Sequence, residues 1–480
     1  MSRASIVVVG GGISALAAAW ELTGGAEGPS EATPRVEVIE EGLRYGGSLA
    51  TTTFAGRTID LGADGFLARR PEAVTLVREL GLADELEPMA ESGAWLWSRG
   101  ALHELPKGLV LGVPTSLKTI GRFRGVGWRG RLGARRDAYL PARMKVADDT
   151  TIGEITRAKL GRELSYQFIE PMIGGIQAGR IDELSAKSVF PALYAAAREG
   201  GSLMRAIRPT EGLGADSSVP AFYSLSGGVG SLPTVLLAQL SGRGVVVRCG
   251  VAVTALRRTP AGTYPLEVDT FATTTSANGV ILSTPAPMAA ALIGSYDPAI
   301  DKLRTVASAS AAMVTFSVPR TLISLPPHGT GILVPLRTSW SGEGSMMVTA
   351  VTFLDRKWPR LRREEDVVLR AHVGRSDDAR WNELSDDELI ARISEELAAL
   401  LPQWGAPTEA LVQRWPHGLP QYRVGHEGLV AGAREASARY GVTLAGNAYD
   451  GVGVPASIGS GRRAARDITE LIKGHALHVS

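Results

Sequence analysis

Ile6–Ala15, IVVVGGGISA, sets four β-branched apolar residues before a run of glycines and the start of a helical pattern. Such a run reads as a strand buried on both faces of a parallel sheet. Gly10 makes the tight turn, Gly12 removes the Cβ that would keep a pyrophosphate off the backbone, and Ala15 is small enough for helix and strand to pack closely. A helix from Ser14 to about Leu22 then aims its dipole at the phosphates. After a surface loop from Gly24 to Pro34, a second strand over Val36–Ile39 ends at Glu40, whose carboxylate accepts the hydroxyls of an adenosine ribose. Strand, glycine turn, helix, strand and acid together read as a dinucleotide-binding βαβ unit.

Glu40 is followed by Glu41, Arg44, Gly46, Gly47 and Ser48 in EEGLRYGGS. The pattern E-x3-R-x-G-G resembles the start of the flavin amine oxidase superfamily, in which the added glycines bring a second loop against the pyrophosphate and ribityl chain and the arginine adds positive charge. NAD enzymes have no comparable need, so FAD is the expected cofactor. The far end, Gly446–Gly461, reads GNAYDGVGVPASIGSG. Its glycines can pass under a flavin ring, and Pro455 is preorganised for a first helical turn whose free N–H groups face the flavin N1 and O2 edge. That edge carries negative charge when reduced.

In the same family the strand after FYSLSGGVGSL (Phe222–Leu232) lays a valine backbone, here Val253, against the adenine, and Gly279–Ala286 returns beneath the cofactor. The residues expected at FAD are thus Gly10, Gly12, Ile13, Ser14 and Ala15 at the first turn, and Glu40, Glu41, Arg44, Gly46, Gly47 and Ser48 after the second strand. Gly62, Ala63 and Asp64 follow, then Val253, and Asn447, Gly453, Val454 and Pro455 at the far end.

The segments between these motifs carry a narrower resemblance. EPMIGGIQAGRIDELSAKSVFPAL (Glu170–Leu193), GILVP (Gly331–Pro335), TFLDRKWP (Thr352–Pro359) and RWPHGLPQYRVGH (Arg414–His426) resemble, in this order, the oxygen-dependent porphyrinogen oxidases of haem biosynthesis. That family includes protoporphyrinogen IX oxidase and its bacterial coproporphyrinogen III relative. The resemblance implies removal of six electrons from a porphyrinogen in three two-electron steps, with molecular oxygen as acceptor and hydrogen peroxide as by-product. It also implies that the backbone carbonyl of Gly175 acts on a pyrrole N–H and that Ile176, Leu333 and Met347 sandwich the ring. Propionates need cations at the cavity rim, for which Arg69, Arg70, Lys107, Arg180 and His426 are the candidates; His426 reads equally well as a structural histidine.

Two departures bear on the substrate. The family's G-x-Y-A-G-D stands here as Gly175-Ile176-Gln177-Ala178-Gly179-Arg180, and a basic residue of protoporphyrinogen enzymes is replaced around Ser92-Gly93. With Arg180 as an added cation, coproporphyrinogen III, which carries four propionates, is the expected substrate. Protoporphyrinogen IX is the alternative, and another flavin amine oxidase or a non-catalytic protein of the same fold is the further one.

Flavin segments at the start, middle and end imply an α/β, Rossmann-like FAD domain interrupted twice, as in flavin amine oxidases: residues 1–89, 221–286 and 425–480. Residues 90–220 form a mainly helical excursion, and residues 287–424 an α+β one with strands over Met313–Val318, Gly331–Val334 and Met346–Phe353.

The 480 residues carry 51 basic and 49 acidic side chains, a net charge of +2, so no global field points to nucleic acid. A basic stretch, Arg122, Arg124, Arg129, Arg131, Arg135, Arg136 and Arg143, surrounds Phe123 and Trp128. It reads as a solvated face, with an anionic membrane surface or a haem-pathway enzyme as the sharper alternative. No stretch approaches the roughly 18 apolar residues of a spanning helix, and no signal peptide opens the chain. A single cysteine, Cys249, excludes an internal disulfide and reads as a packed small hydrophobe, which favours a cytoplasmic location, with peripheral membrane attachment left open. The histidines show no metal-ligand spacing, and no metal is expected.

Overall fold

The strand Ser5–Val9 buries both of its faces: Ile6 and Val8 enter one apolar cluster, Val7 and Val9 another. In the computed structural model, which describes residues 3–121, 123–141, 144–207, 220–259, 266–342 and 344–479, this strand is the centre of a five-stranded sheet. Its neighbours run parallel to it: Arg35–Glu40 and then Val246–Cys249 on one side, Gly279–Leu282 and then Val442–Leu444 on the other. Parallel pairing demands crossovers, and crossovers put helices on both faces. Helices Ile13–Leu22, Leu232–Gly242 and Val454–Val479 cover the Ile6 and Val8 side; Ala286–Ile293 and His426–Ala438 cover the other. The fold is α/β and Rossmann-like, as the resemblance implies.

Helix Val454–Val479 lies so close to Ile13–Leu22 that a Cβ on Gly461 would fall 2.0 Å from the Ser14 carbonyl oxygen. This contact brings the two glycine-rich ends of the chain together. The run Val245–Val253, which reads as one strand, is two. Gly250, at φ +72°, turns the chain between Val246–Cys249 in the parallel sheet and Val253–Arg258 in a three-stranded antiparallel sheet.

A seven-stranded sheet forms the second layer, in the order Glu409–Pro420, Ser308–Pro319, Asp366–Val373, Val348–Phe353, Gly331–Leu333, Trp95–Ser98, Ala101–Glu104. The hairpin over Trp95–Ser98 and Ala101–Glu104 falls in the excursion read as mainly helical, and it joins the large sheet, where Trp95 and Leu96 pair in parallel with Ile332 and Leu333. Behind the sheet, helix Asp386–Leu400 starts on a capping box made by Ser385 and Glu388 and buries Leu389, Ile393 and Leu397 against Val314, Phe316, Val351 and Leu369. The opposite face is left for the site. The described residues between 117 and 207 fold mainly as helices around Ile155, Leu164, Phe168, Ile173 and Leu193. Among the described residues no helix is long and apolar enough to cross a membrane.

Candidate active site

Backbone hydrogen bonds close the first glycine turn. Gly10 N–H donates to the Ile39 carbonyl and Gly46 N–H to the Gly11 carbonyl, each at 2.8 Å. The loop Gly46–Ser48 therefore lies against the turn, with Gly12 bridged to Gly46. Ile13, Ser14 and Ala15 are buried beneath it, whereas Glu41 is exposed. The Glu40 carboxylate accepts from Gly11 N–H and, at 2.6 Å, from Gly42 N–H, which pins it beside the turn with lone pairs to spare.

A Cβ on Gly12 would meet no protein atom within 4 Å, and the same holds for Gly446 and Gly453. Three such glycines on the two glycine-rich ends form a cradle for a group outside the chain. With a carboxylate at the second strand end and Val454 and Pro455 opening a helix, these residues fit FAD. Arg44 donates to the Gly47 carbonyl at 2.6 Å and stacks over Trp415, 5.8 Å from the ring centre. Asn447 donates to the Gly418 carbonyl at 3.2 Å, and Val253 sits half-buried at a bulge.

The turn Gly62-Ala63-Asp64 runs along the second loop, where a Cβ on Gly62 would sit 2.0 Å from the Ser48 carbonyl oxygen. Charges tie this turn to the seven-stranded sheet. Arg370, buried in mid-strand, donates to the carbonyls of Asp60 and, at 3.3 Å, Gly62. Lys357 and Trp358 donate to the two Asp64 carboxylate oxygens at 2.8 and 3.2 Å. Burial alone would raise the Asp64 pKa, but Lys357 and Arg370 outweigh it and hold the carboxyl well below the usual range. At Asp60 burial wins over the Gly230 N–H bond and over Arg360 and Arg370, and the value rises to about 6. In the sequence, the signals for this network are a lone arginine in the apolar run Val367–Val373 and the lysine inside TFLDRKWP.

The open face of the large sheet presents Met313, Ala350, Thr352, His372 and Leu333, all half-buried. Helix Glu170–Gln177 approaches it: a Cβ on Gly175 would reach Leu333 Cδ2 at 4.0 Å, and Gly175 and Ile176 are exposed. Met347 does not join them. Its N–H donates to the buried Glu396 carboxylate, at 2.9 and 2.8 Å to the two oxygens, and this contact holds it in the cluster behind the sheet.

The candidate rim cations divide. Arg69, Arg70 and Lys107 are exposed, with Arg70 paired to Glu72 at 3.0 Å. Arg180 is instead an internal ion pair: its Nε donates to Glu170 at 2.9 Å, and Asp377 and Asp182 hold its other nitrogens. His426 is buried and stacked on Tyr422 with centroids 4.1 Å apart, and its Nε2 donates to the Ala448 carbonyl at 2.9 Å. Burial lowers its pKa, so it is a neutral structural ring and not a rim cation. A basic residue facing outward and one facing an internal acid read alike in sequence. Cys249 is likewise exposed rather than packed, because it ends a strand at the sheet edge, with Sγ 2.8 Å from the Gly42 carbonyl. Arg122 and Arg143 lie outside the described residues; Arg124, Arg129, Arg135 and Arg136 are exposed around Trp128 and Leu132.

His372 was not separable in sequence from the other histidines. Burial, then Arg370, pushes its pKa from 6.5 down to about 4. A folded value below the unfolded one means stability that is present above about 6.5 and lost as pH falls towards about 4, while Asp60 acts in the opposite sense between 3.8 and about 6. The melting temperature of the native protein minus that of His372→Phe should therefore fall as pH drops from about 7 to about 4.5. A gap that stays constant in calorimetry would show that the histidine is not held neutral.

The family model described as flavin containing amine oxidoreductase matches residues 13–469. The coproporphyrinogen III oxidase of Bacillus subtilis (strain 168) is 33% identical over 96% of this chain and 97% of its own length, and that of Mycobacterium leprae is 34% identical over 97% and 98%. A crystal structure of a candidate protoporphyrinogen oxidase from Exiguobacterium sp. 255-15 superposes with a TM-score of 0.84 at 30% identity, covering 98% of this chain and 99% of that one.

Proposed function

The chain belongs to the flavin containing amine oxidoreductase family, and on that premise we propose that it oxidises coproporphyrinogen III to coproporphyrin III, with FAD as cofactor and molecular oxygen as acceptor. The observation that carries this reading is likeness to oxidases of that name over nearly the whole of both chains. Six electrons leave the ring in three two-electron oxidations, and each oxygen consumed is released as hydrogen peroxide. Bound FAD supplies the two-electron acceptor. Aromatisation provides much of the driving force, so the work of the chain is to hold a broad macrocycle and keep bulk water away.

The residues divide that work. Gly10–Ala15 and Gly46–Ser48 receive the pyrophosphate, Glu40 the ribose, and Asn447, Gly453, Val454 and Pro455 the flavin edge. The Gly175 carbonyl meets a pyrrole N–H, while Ile176 and Leu333 flank the ring. Arg69, Arg70 and Lys107 are the cations offered to propionates. Residues 1–89, 221–286 and 425–480 act as the cofactor domain, and the two excursions form the substrate cavity. We place the protein in the cytoplasm. The exposed face of helix Trp128–Tyr139, with Trp128 and Leu132 among Arg129, Arg135 and Arg136, is the proposed surface for a peripheral contact with an anionic membrane or a haem-pathway enzyme.

Purified protein incubated with coproporphyrinogen III should develop porphyrin fluorescence in air and none without oxygen beyond one flavin's worth. Faster turnover of protoporphyrinogen IX would replace the first substrate with the second. Peroxide release with polyamines and none with either porphyrinogen would overturn the reading.

A further inference from the structure

One row of side chains crosses the open face of the seven-stranded sheet at a single level: Gln413, Met313, His372, Ala350 and Leu333, each in register with the next. All five are half-buried, whereas Val314, Ala371, Val351 and Ile332, one place along their strands, are buried towards the helix behind. Leu333 is also the residue nearest a Cβ on Gly175, so this row lies on the side of the sheet that meets helix Glu170–Gln177, the side proposed for the macrocycle.

His372 stands in the middle of that row. Its Nε2 lies 3.0 Å from Thr352 Oγ1, a bond that sets the ring plane and leaves Nδ1 as the remaining ring nitrogen. Gln413, at the row's end, already donates to the Arg414 carbonyl at 2.9 Å. The neighbours of His372 in the row, Met313 and Ala350, are apolar side chains, so a half-buried ring nitrogen on this face finds its partner in whatever lies against the row.

We propose that His372 positions the reduced macrocycle by accepting a hydrogen bond from a pyrrole N–H, an inference that rests on the porphyrinogen reading and goes beyond it. A porphyrinogen carries four pyrrole N–H donors, whereas the porphyrin product keeps two and gains two bare nitrogens. An acceptor in the row therefore favours substrate over product and makes the oxidised ring easier to release. The charged groups around the imidazole are Arg370 on its own strand, Lys357 on the short helix Leu354–Lys357, and Asp64 on the cofactor turn. Burial and the two cations outweigh the one acid, and the ring stays neutral and able to accept at neutral pH.

His372→Phe keeps the ring size and removes the acceptor. KM for the porphyrinogen should rise about ten-fold, the worth of one well-made hydrogen bond, with kcat changed less than about two-fold. Affinity for the porphyrin product, read by absorbance titration, should hold. His372→Asn, which returns an acceptor near Nδ1, should recover most of the loss, and Thr352→Val, which frees the ring to rotate, should give an intermediate KM. The native KM should stay flat across about pH 6–8. Flavin content reports folding, and if the phenylalanine variant retains none, Thr352→Val decides alone. An unchanged KM, or equal loss of substrate and product affinity, overturns the role of His372 while leaving the enzyme's function standing. Native protein that binds flavin yet oxidises no porphyrinogen overturns both.

Discussion

A valine at position 12 should leave the protein folded and colourless. Gly12 sits at φ −70° and ψ 173°, extended backbone that valine adopts without strain, and a Cβ there touches no protein atom within 4 Å. The protein itself therefore tolerates the side chain, and the apo form should unfold within about 0.5 kcal/mol of the native one. The methyl groups instead occupy the cradle that the first turn offers to a pyrophosphate, so retained flavin absorbance should vanish on gel filtration. Gly10→Val is the contrasting case. Gly10 has φ +109°, and its Cβ would lie 2.5 Å from the Ser283 carbonyl oxygen, so that variant should lose fold and flavin together. A fully yellow Gly12→Val protein would contradict the cofactor assignment.

Glu170→Ala should cost about 3–5 kcal/mol of folding free energy, the range for breaking a buried ion pair from one side. The carboxylate is wholly buried, accepts from Ile181 N–H and from Arg180 Nε at 2.9 Å each, and lies 3.8 Å from the buried Arg375. Its removal leaves Arg180 with Asp377 and Asp182 alone and takes the facing carboxylate from the buried Arg375, at the start of the helix that carries Gly175 and Ile176. Denaturant unfolding measures the loss, and porphyrinogen turnover should fall with it because that helix carries the proposed substrate contacts Gly175 and Ile176. Glu170→Gln keeps acceptors for the Ile181 N–H and should lose markedly less. An alanine variant within about 1 kcal/mol of native would mean that the helix is held by its apolar face alone.

Much of this was legible because local rules and tertiary demands agree. The IVVV run must be buried twice, Gly10 must turn, and Glu40 must end its strand, whatever surrounds them. The C-terminal glycines were readable as a second half of the same site once the first was known. What escaped the sequence depends on partners distant along the chain. No local pattern says that Trp95 pairs with Ile332, or that Gly250 divides two sheets. Arg180 and His426 have the composition of surface cations and become internal only because Glu170 and Tyr422 await them. Met347 lies just before the strand Val348–Phe353 and His372 within an apolar strand, and neither run says that the Met347 N–H meets Glu396 or that His372 falls on the open face.

The middle strand of the parallel sheet has a consequence for biosynthesis. Ser5 and Asn278 exchange hydrogen bonds across 273 residues, and Val442–Leu444 adds the last strand later still. At about 5–20 residues per second, a ribosome leaves one edge of the nascent IVVV strand without its neighbour for tens of seconds. Such an edge invites pairing with other chains. Nascent-chain binding by chaperones should persist until Asn278 has emerged, and the glycine cradle closes only after Gly453 has followed it, which makes flavin capture one of the final events in the maturation of this protein.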